Sequence, residues 1–226
     1  MDGAAVAGEV LAQVVARRVE FLTGYQDAAY AERYRAFVDE VRAAESAKTG
    51  TTALTEAVAR YYFKLLAYKD EYEVARLYTA TGFAERVATM FEGDYKLAFH
   101  LSPPAFARVD PRTGEARKSR YGPWMWHAMK VLARLRFLRG GVLDPFGRTA
   151  ERRTERALIA EYERTIRGLL ERLAPANVAL ATEISAIPEE IRGYGHVKLR
   201  TLAAAKVKQT ELLSRYHRNV AAEVAA

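Results

Sequence analysis

Apolar residues at helical spacing near the start of the chain constrain its fold more than any other feature of the sequence. Between residues 6 and 45 they follow the 3.6-residue period that marks one face of an α-helix. The pattern predicts one long helix, or two helices with a weak point at Gly24. The residues that carry this period are Leu11, Val14, Val15, Leu22, Tyr25, Ala29, Phe37 and Val41.

Loop and capping signals divide the rest of the chain into further helices. Ser, Thr and Gly predict a loop at 46–52, and Asp70 predicts the N-cap of a short helix. Pro123 suits the first position of a helix that is apolar on most sides and is therefore expected in the core. The remaining helices are predicted at 53–67, 82–91, 149–172 and 197–222, with two short helices punctuated by Pro175 and Pro188.

Residues 95–121 have a different pattern. The stretch YKLAFHL at 95–101 alternates and carries β-formers, and the proline pair at 103–104 cannot continue a helix. Asp-Pro-Arg-Thr-Gly at 110–114 is a turn signal between two short extended pieces. The predicted fold class is therefore mostly α, with a small β-hairpin or sheet inserted around residues 95–121.

No linker divides the sequence clearly, so residues 1–226 are predicted to form a single helical domain. Residues 1–48 are its N-terminal helix or helix pair, and residues 49–226 are the remainder. No apolar run is long enough to span a bilayer, and the first ten residues lack the basic region of a signal peptide. We therefore expect no membrane contact and a cytoplasmic location.

The chain has no cysteine and only four histidines. This composition excludes disulfides, thiolate catalysis, cysteine-held iron–sulfur clusters and cysteine zinc sites within the chain. No two histidines have a metal-ligand spacing such as H-x-x-x-H, so no metal is predicted. Phosphate-binding loops of the G-x-x-x-x-G-K-[ST] type and G-x-S-x-G elbows are also missing from the sequence.

The net charge is +7, which suits nucleic acid, an anionic ligand or an acidic protein as a partner. Arginines alternate with glutamates and do not form a clear stripe, which disfavours nucleic acid. The most charged cluster contains Arg148, Arg152 and Arg156, spaced four apart and predicted to share one helix face. They could pair locally with nearby glutamates, or they could form a docking face for an acidic partner or a phosphate-bearing ligand.

The stretch IRGYGHVK at 191–198 is the second candidate site. Its two glycines do not complete the dinucleotide fingerprint, because the third glycine position is Lys198 and the preceding segment is predicted as helix. The glycines favour a tight corner between two helices. Alternatively, backbone amides at the helix start could meet an anion, with Arg192, His196 and Lys198 around it. The tryptophans in GPWMWH (122–127) are predicted to lie in the core.

Several stretches together resemble the C-terminal region of the fused indolepyruvate ferredoxin oxidoreductase family, which are 2-oxoacid:ferredoxin oxidoreductases. The resemblance runs from about Arg17 to Leu213 and depends on the order and spacing of the stretches. They are YYFKLLAYKDEYEVARLYT (61–79), FEGDYKLAFHLSPP (91–104), YGPWMW (121–126), LRGGVLDPFGRTAERRTERALIAEY (138–162) and IPEEIRGYGHVK (187–198).

The resemblance implies a role in pyruvate-type metabolism. The whole enzyme oxidatively decarboxylates an aryl 2-oxoacid to an acyl-coenzyme A, using thiamine diphosphate, iron–sulfur clusters and coenzyme A. This chain lacks the diphosphate motif and any cysteine, so no cofactor and no catalytic residue is expected within it. The implied function is a non-catalytic domain that acts in packing, assembly or ligand access. Its partners would be catalytic domains or subunits, with oligomers formed through the parent enzyme. The alternative is an independent basic binding module for an acidic protein or nucleic acid.

Overall fold

A computed structural model of the chain describes residues 10–93, 95–101, 108–109 and 116–225. These residues contain nine α-helices and two 3-10 turns, at Leu135–Leu138 and Ile187–Glu190. The prediction of a mostly α fold is confirmed. The helices are α1 Leu11–Tyr25, α2 Ala28–Thr49, α3 Ala53–Leu66, α4 Glu71–Thr79, α5 Phe83–Met90, α6 Met125–Arg134, α7 Ala150–Glu171, α8 Val178–Ser185 and α9 Gly195–Ala225.

The predicted β-insertion is present between α5 and α6. Strand β1 (Phe99–Leu101) pairs antiparallel with β4 (Ser119–Tyr121), with Phe99 opposite Tyr121. Inside this pair, β2 (Arg108–Val109) lies antiparallel to β3 (Ala116–Arg117). The nested pairing confirms the small antiparallel insertion. The predicted turn at 110–114 and the proline pair at 103–104 lie outside the described residues.

The chain forms two compact units, and each has its own core. The first unit contains the residues up to Ala67 together with those from Thr154 onward, and the second contains Tyr68–Arg153. The assignment of residues 1–226 to one domain stays a prediction. Among the described residues, no helix combines the length and the apolarity needed to cross a membrane.

The N-terminal helical segment breaks into two helices close to the weak point that Gly24 predicted. Helix α1 ends at Tyr25, and the side chain of Asp27 caps α2 by accepting a hydrogen bond from Tyr30 N at 2.8 Å. Helix α2 continues to Thr49, so the loop predicted at 46–52 is shorter than expected. The reason is that Gly50, with a φ of +69°, ends the helix only there.

Buried tyrosines form much of the core of the first unit. The ring of Tyr62 from α3 stacks on that of Tyr162 from α7, with centroids 6.0 Å apart. Each hydroxyl finds a partner on another helix. Tyr34 donates to the carbonyl of Ala59 at 3.0 Å, and Tyr162 donates to that of Ser185 at 3.0 Å. Burial therefore stabilises the rings without leaving their polar ends unsatisfied.

The carboxylate of Glu45 on α2 supplies the N-terminal cap of α3. Its side chain is fully buried, with 0% exposure. It accepts hydrogen bonds from Leu54 N at 3.0 Å, from Thr55 N at 2.8 Å and from the Thr55 hydroxyl at 2.6 Å. The N-cap residue Thr52 makes no side-chain capping bond itself. An anion held at the positive end of α3 therefore joins two consecutive helices.

The second unit is built on the packing of α4 against α6. Its buried cluster contains Ala75, Phe99, Met129 and Ala133. The expectation that α6 and both tryptophans lie in the core is wrong for Trp124, which is 60% exposed. Helix α6 buries only the face that carries Met129 and Ala133 within this unit, so the opposite face remains accessible.

Two carboxylates organise the loop that follows α6. Asp70 caps α4 as predicted, because its carboxylate accepts a hydrogen bond from Glu73 N at 2.8 Å. The same carboxylate accepts two hydrogen bonds from the guanidinium group of Arg139, at 2.5 and 2.9 Å. Both side chains of this ion pair are 3% exposed. Asp144 accepts from Gly140 N at 2.8 Å and from Tyr72 at 3.1 Å. The buried groups are therefore paired, which burial of charge requires.

Replacing Glu45 by Ala is expected to lower the free energy of unfolding by about 3 kcal/mol or more, because two amides and the hydroxyls of Thr51 and Thr55 lose their acceptor. Urea unfolding followed by circular dichroism measures the change. Glu32→Ala is the control, since Glu32 forms an exposed pair with Arg35 that should contribute less than about 1 kcal/mol. Equal losses in the two variants would contradict the capping role of Glu45.

Arg139→Met is expected to cost about 3–5 kcal/mol, because it leaves Asp70 charged and unpaired in the second unit. Adding Asp70→Asn should recover part of the loss, since the neutral amide still offers an N-cap acceptor to α4. Chemical denaturation of the two variants tests this. A double variant that is less stable than Arg139→Met would show that the buried pair is not the source of the effect.

Candidate functional site

The stretch 191–198 forms a glycine corner in the first unit, and we call it the α9 corner. Gly193 and Gly195 both have positive φ angles, of +88° and +53°, and α9 begins at Gly195. Thr201 closes the corner from within α9. Its hydroxyl oxygen accepts from Arg192 N at 3.2 Å and lies 2.9 Å from the Arg192 carbonyl oxygen. The two glycines therefore set the direction in which α9 leaves.

Side chains of α3 hold the 3-10 turn that precedes the corner. Lys64 donates to the carbonyl oxygens of Pro188 and Glu189 at 2.7 and 3.1 Å. The hydroxyl of Tyr61 donates to the Glu189 carboxylate at 2.5 Å. The guanidinium group of Arg192 donates a hydrogen bond to the backbone carbonyl of Glu189 at 2.9 Å and forms an ion pair with the Glu189 carboxylate at 3.4 Å. Glu189 is thus the shared acceptor between α3 and the corner.

Burial, hydrogen bonding and nearby charges shift three pKa values at this turn. The hydrogen bond from Tyr61 lowers the pKa of Glu189, and the nearby cations Arg192 and Lys64 lower it further. Burial and the same hydrogen bond raise the pKa of Tyr61. Burial lowers the pKa of Lys64, and the positive charges of Arg192 and Lys198 act in the same direction. Arg192 and Lys64 therefore both lie close enough to the Glu189 carboxylate to favour its charged form.

The predicted corner residues have different surroundings. Lys198 forms an ion pair with the buried carboxylate of Glu155 on α7 at 2.5 Å, and Arg192 bonds to Glu189 while remaining exposed. His196 is exposed in the first turn of α9. Within the first unit, then, the structure brings Arg192, His196 and Lys198 to one corner. Two of the three already have carboxylate partners, and their role as contact residues stays a prediction.

The predicted arginine cluster does not form one helix face. Helix α7 begins at Ala150, so Arg148 lies before it and donates to the Val142 carbonyl at 3.2 Å. Arg152 is buried in the second unit, where it pairs with Glu71 at 3.3 Å and lies over the Tyr68 ring. The spacing of four residues could not reveal these tertiary partners. Arg156, on the continuation of α7, belongs to the first unit and is half-buried.

An exposed apolar stripe follows the corner along α9. Leu199 is 62% exposed and Val207 is 72% exposed, with the exposed Ala203 between them at i+4. Tyr194 is exposed at the corner itself. We call Leu199, Ala203 and Val207 the α9 stripe. Their spacing of four is visible in the sequence, but nothing in the sequence distinguishes this stripe from the buried face of the same helix.

The grooves of the first unit have few polar groups that converge on a ligand. A groove beside the corner, lined by Leu65, Ile187 and Leu202 among others, has a volume of about 20 Å³, which suits a single water molecule. A wider groove of about 260 Å³ between α1 and α2 is lined mainly by aliphatic side chains such as Val15. Among the described residues, no group of three or more acidic or histidine side chains is arranged to hold a metal ion. The arrangement suits contact with another surface.

Gly193→Ala is expected to destabilise the chain by about 2 kcal/mol or more. The new Cβ would lie 2.7 Å from Val197 Cγ1, in addition to the strain of a positive φ. Gly50→Ala is the matched control, because it has φ +69° but no atom within 4 Å of its Cβ, and it should cost about 1 kcal/mol. Urea unfolding compares them, and equal losses would argue against a sterically closed corner.

Comparison with known proteins gives one match. Residues 11–211 match the profile of a family described as a family of unknown function, DUF6537. No curated protein and no solved structure matches the chain at a significant level. The matched range includes residues of both compact units, the α9 corner and most of α9. The chain therefore belongs to the DUF6537 family.

Proposed function

We propose that the chain is a non-catalytic helical domain of an indolepyruvate-type 2-oxoacid:ferredoxin oxidoreductase, in the cytoplasm. It packs against the catalytic domains or subunits and supports assembly or ligand access. The five ordered stretches from residue 61 to residue 198 support this assignment, since their order and spacing resemble the C-terminal region of that enzyme family. In this proposal the chain contributes surface and shape, and other domains carry out the chemistry.

The observation that carries the proposal is the exposed apolar surface of α9. Leu199 and Val207 lie on one helix face, and Tyr194 lies at the corner that begins the helix. Apolar side chains exposed in a row along one helix face are a feature of surfaces that bind other proteins. The polar corner residues Arg192, His196 and Lys198 border this surface and would supply its polar rim.

The cofactors implied by the resemblance belong to the rest of the proposed enzyme. Thiamine diphosphate and the iron–sulfur clusters would supply decarboxylation and electron transfer there, and coenzyme A would accept the acyl group. The present chain has no cysteine, so it has no thiolate with which to hold a cluster. Its own contribution is limited to binding and positioning. If coenzyme A contacts this chain, we propose Arg192 and Lys198 at the α9 corner as the residues that meet its anionic groups.

Co-purification tests the proposal. A chromosomal copy of the gene with an affinity tag is expressed in its natural host, and the protein is isolated without oxygen under non-denaturing conditions. We expect indolepyruvate- and coenzyme A-dependent reduction of a viologen dye in the eluate. Val207→Asp should lower the recovered activity by about tenfold or more, because an uncompensated carboxylate would be buried in the interface.

Ala204→Asp is the matched control for Val207→Asp. It adds the same charge at an exposed position of α9 that lies outside the α9 stripe, and the recovered activity should match that of the unchanged protein. Circular dichroism of both variants checks that they remain folded. An eluate without indolepyruvate-dependent activity would refute the proposal, and co-purified nucleic acid would favour the alternative of an independent basic binding module.

A further inference from the structure

The whole net charge of the chain is concentrated in one segment. Between residues 116 and 143 there are seven Lys and Arg residues and no Asp or Glu. The other 28 Lys and Arg residues equal the 28 acidic residues in number, so the net charge of +7 belongs to this segment. Charges alternate through much of the chain, and the segment around α6 is the larger of two long runs of cations without acidic residues; the other, 191–210, contains five Lys and Arg residues. A local excess of this size attracts anionic partners.

Most of the cations in this segment are not neutralised within the chain. Arg139 is the buried exception and pairs with Asp70. Several exposed cations elsewhere do have carboxylate partners, as Arg167 has with Glu40. The following four are exposed and form no ion pair with any carboxylate of the described residues: Lys118, Arg120, Lys130 and Arg134. Their charges are therefore available to another molecule.

Helix α6 combines these cations with apolar side chains on one accessible surface. Trp124 and Val131 are 60% and 57% exposed and lie seven residues apart, with exposed Ala128 between them. Lys130 and Arg134 are one turn apart beside this row. We call these five residues the α6 face. The opposite side of α6 carries Met129 and Ala133, which are buried in the core of the second unit.

The chemistry of the α6 face favours a protein over other anionic partners. Trp and Arg dominate the energetics of protein interfaces, and the apolar row at Ala128 and Val131 suits an apolar pocket. Nucleic-acid phosphates would use the cations but would gain nothing from the aliphatic row. Helices that lie on membranes carry a long row of bulky apolar residues, whereas among the ten residues of α6 only Val131 is a large exposed apolar residue, next to the N-cap residue Trp124.

We propose that the α6 face binds an acidic protein surface. Trp124 would enter an apolar pocket of the partner, and carboxylates of the partner would form ion pairs with Lys130 and Arg134. The ring of Trp124 is supported edge-on by Tyr121, with centroids 6.1 Å apart, so it is already positioned for docking. This inference concerns the second unit and does not depend on the oxidoreductase assignment.

Photo-crosslinking from the centre of the face tests the inference. The full chain carries p-benzoylphenylalanine at Ala128 and is expressed from its own locus, and the cross-linked peptide is sequenced by mass spectrometry. We expect a peptide of one protein with Asp or Glu residues next to the attachment point. Lys130→Glu with Arg134→Glu should lower the yield about tenfold or more, and exchanging the partner's carboxylates for lysines should restore it.

The control variant combines Arg164→Glu with Arg172→Glu. This variant changes the net charge by the same amount as the Lys130 and Arg134 variant, but at two exposed positions of the first unit. The crosslink should persist. Circular dichroism verifies that both double variants fold. A crosslink to nucleic acid or lipid, a peptide without carboxylates, an unchanged yield in the Lys130 and Arg134 variant, or the absence of any crosslink would each overturn the inference.

Discussion

The buried carboxylate of Glu45 fixes the junction on which the first unit is built. It holds two amides of α3 from a position on α2, so the angle between these helices is set by hydrogen bonds as well as by packing. Helix α3 then presents Tyr62 to Tyr162 in the core and Tyr61 and Lys64 to the α9 corner. The Glu45 cap thus helps to position α3, and α3 in turn contacts the corner beside the surface that we propose as an interface.

In the second unit, too, buried carboxylates hold together parts of the chain that are distant in sequence. Asp70 joins the start of α4 to the end of the α6 segment through Arg139, and Asp144 holds the loop that follows. These bonds hold the loop that follows α6; the helix itself buries Met129 and Ala133 and leaves its other side accessible. The exposed cations and Trp124 on that side are not among the buried residues of the core, which is consistent with a role in binding.

Local sequence patterns predicted the helices well because helical periodicity and capping act over a few residues. The break near Gly24, the Asp70 cap and the small β-insertion follow from such signals. Tertiary pairing could not be predicted in this way. Arg152 pairs with Glu71 and Lys198 pairs with Glu155, although these partners are 81 and 43 residues apart in the sequence. The pattern of apolar residues also does not indicate that the side chain of Trp124 is exposed.

The central claim is that the chain works as a part of a larger protein assembly. The most direct test is the native mass of the chain from its own host, measured by mass photometry on gently purified, chromosomally tagged protein. Our account predicts particles several times heavier than the 25.3 kDa calculated for this chain. A single population at the mass of the chain alone, under conditions that preserve other protein complexes of the host, would contradict it.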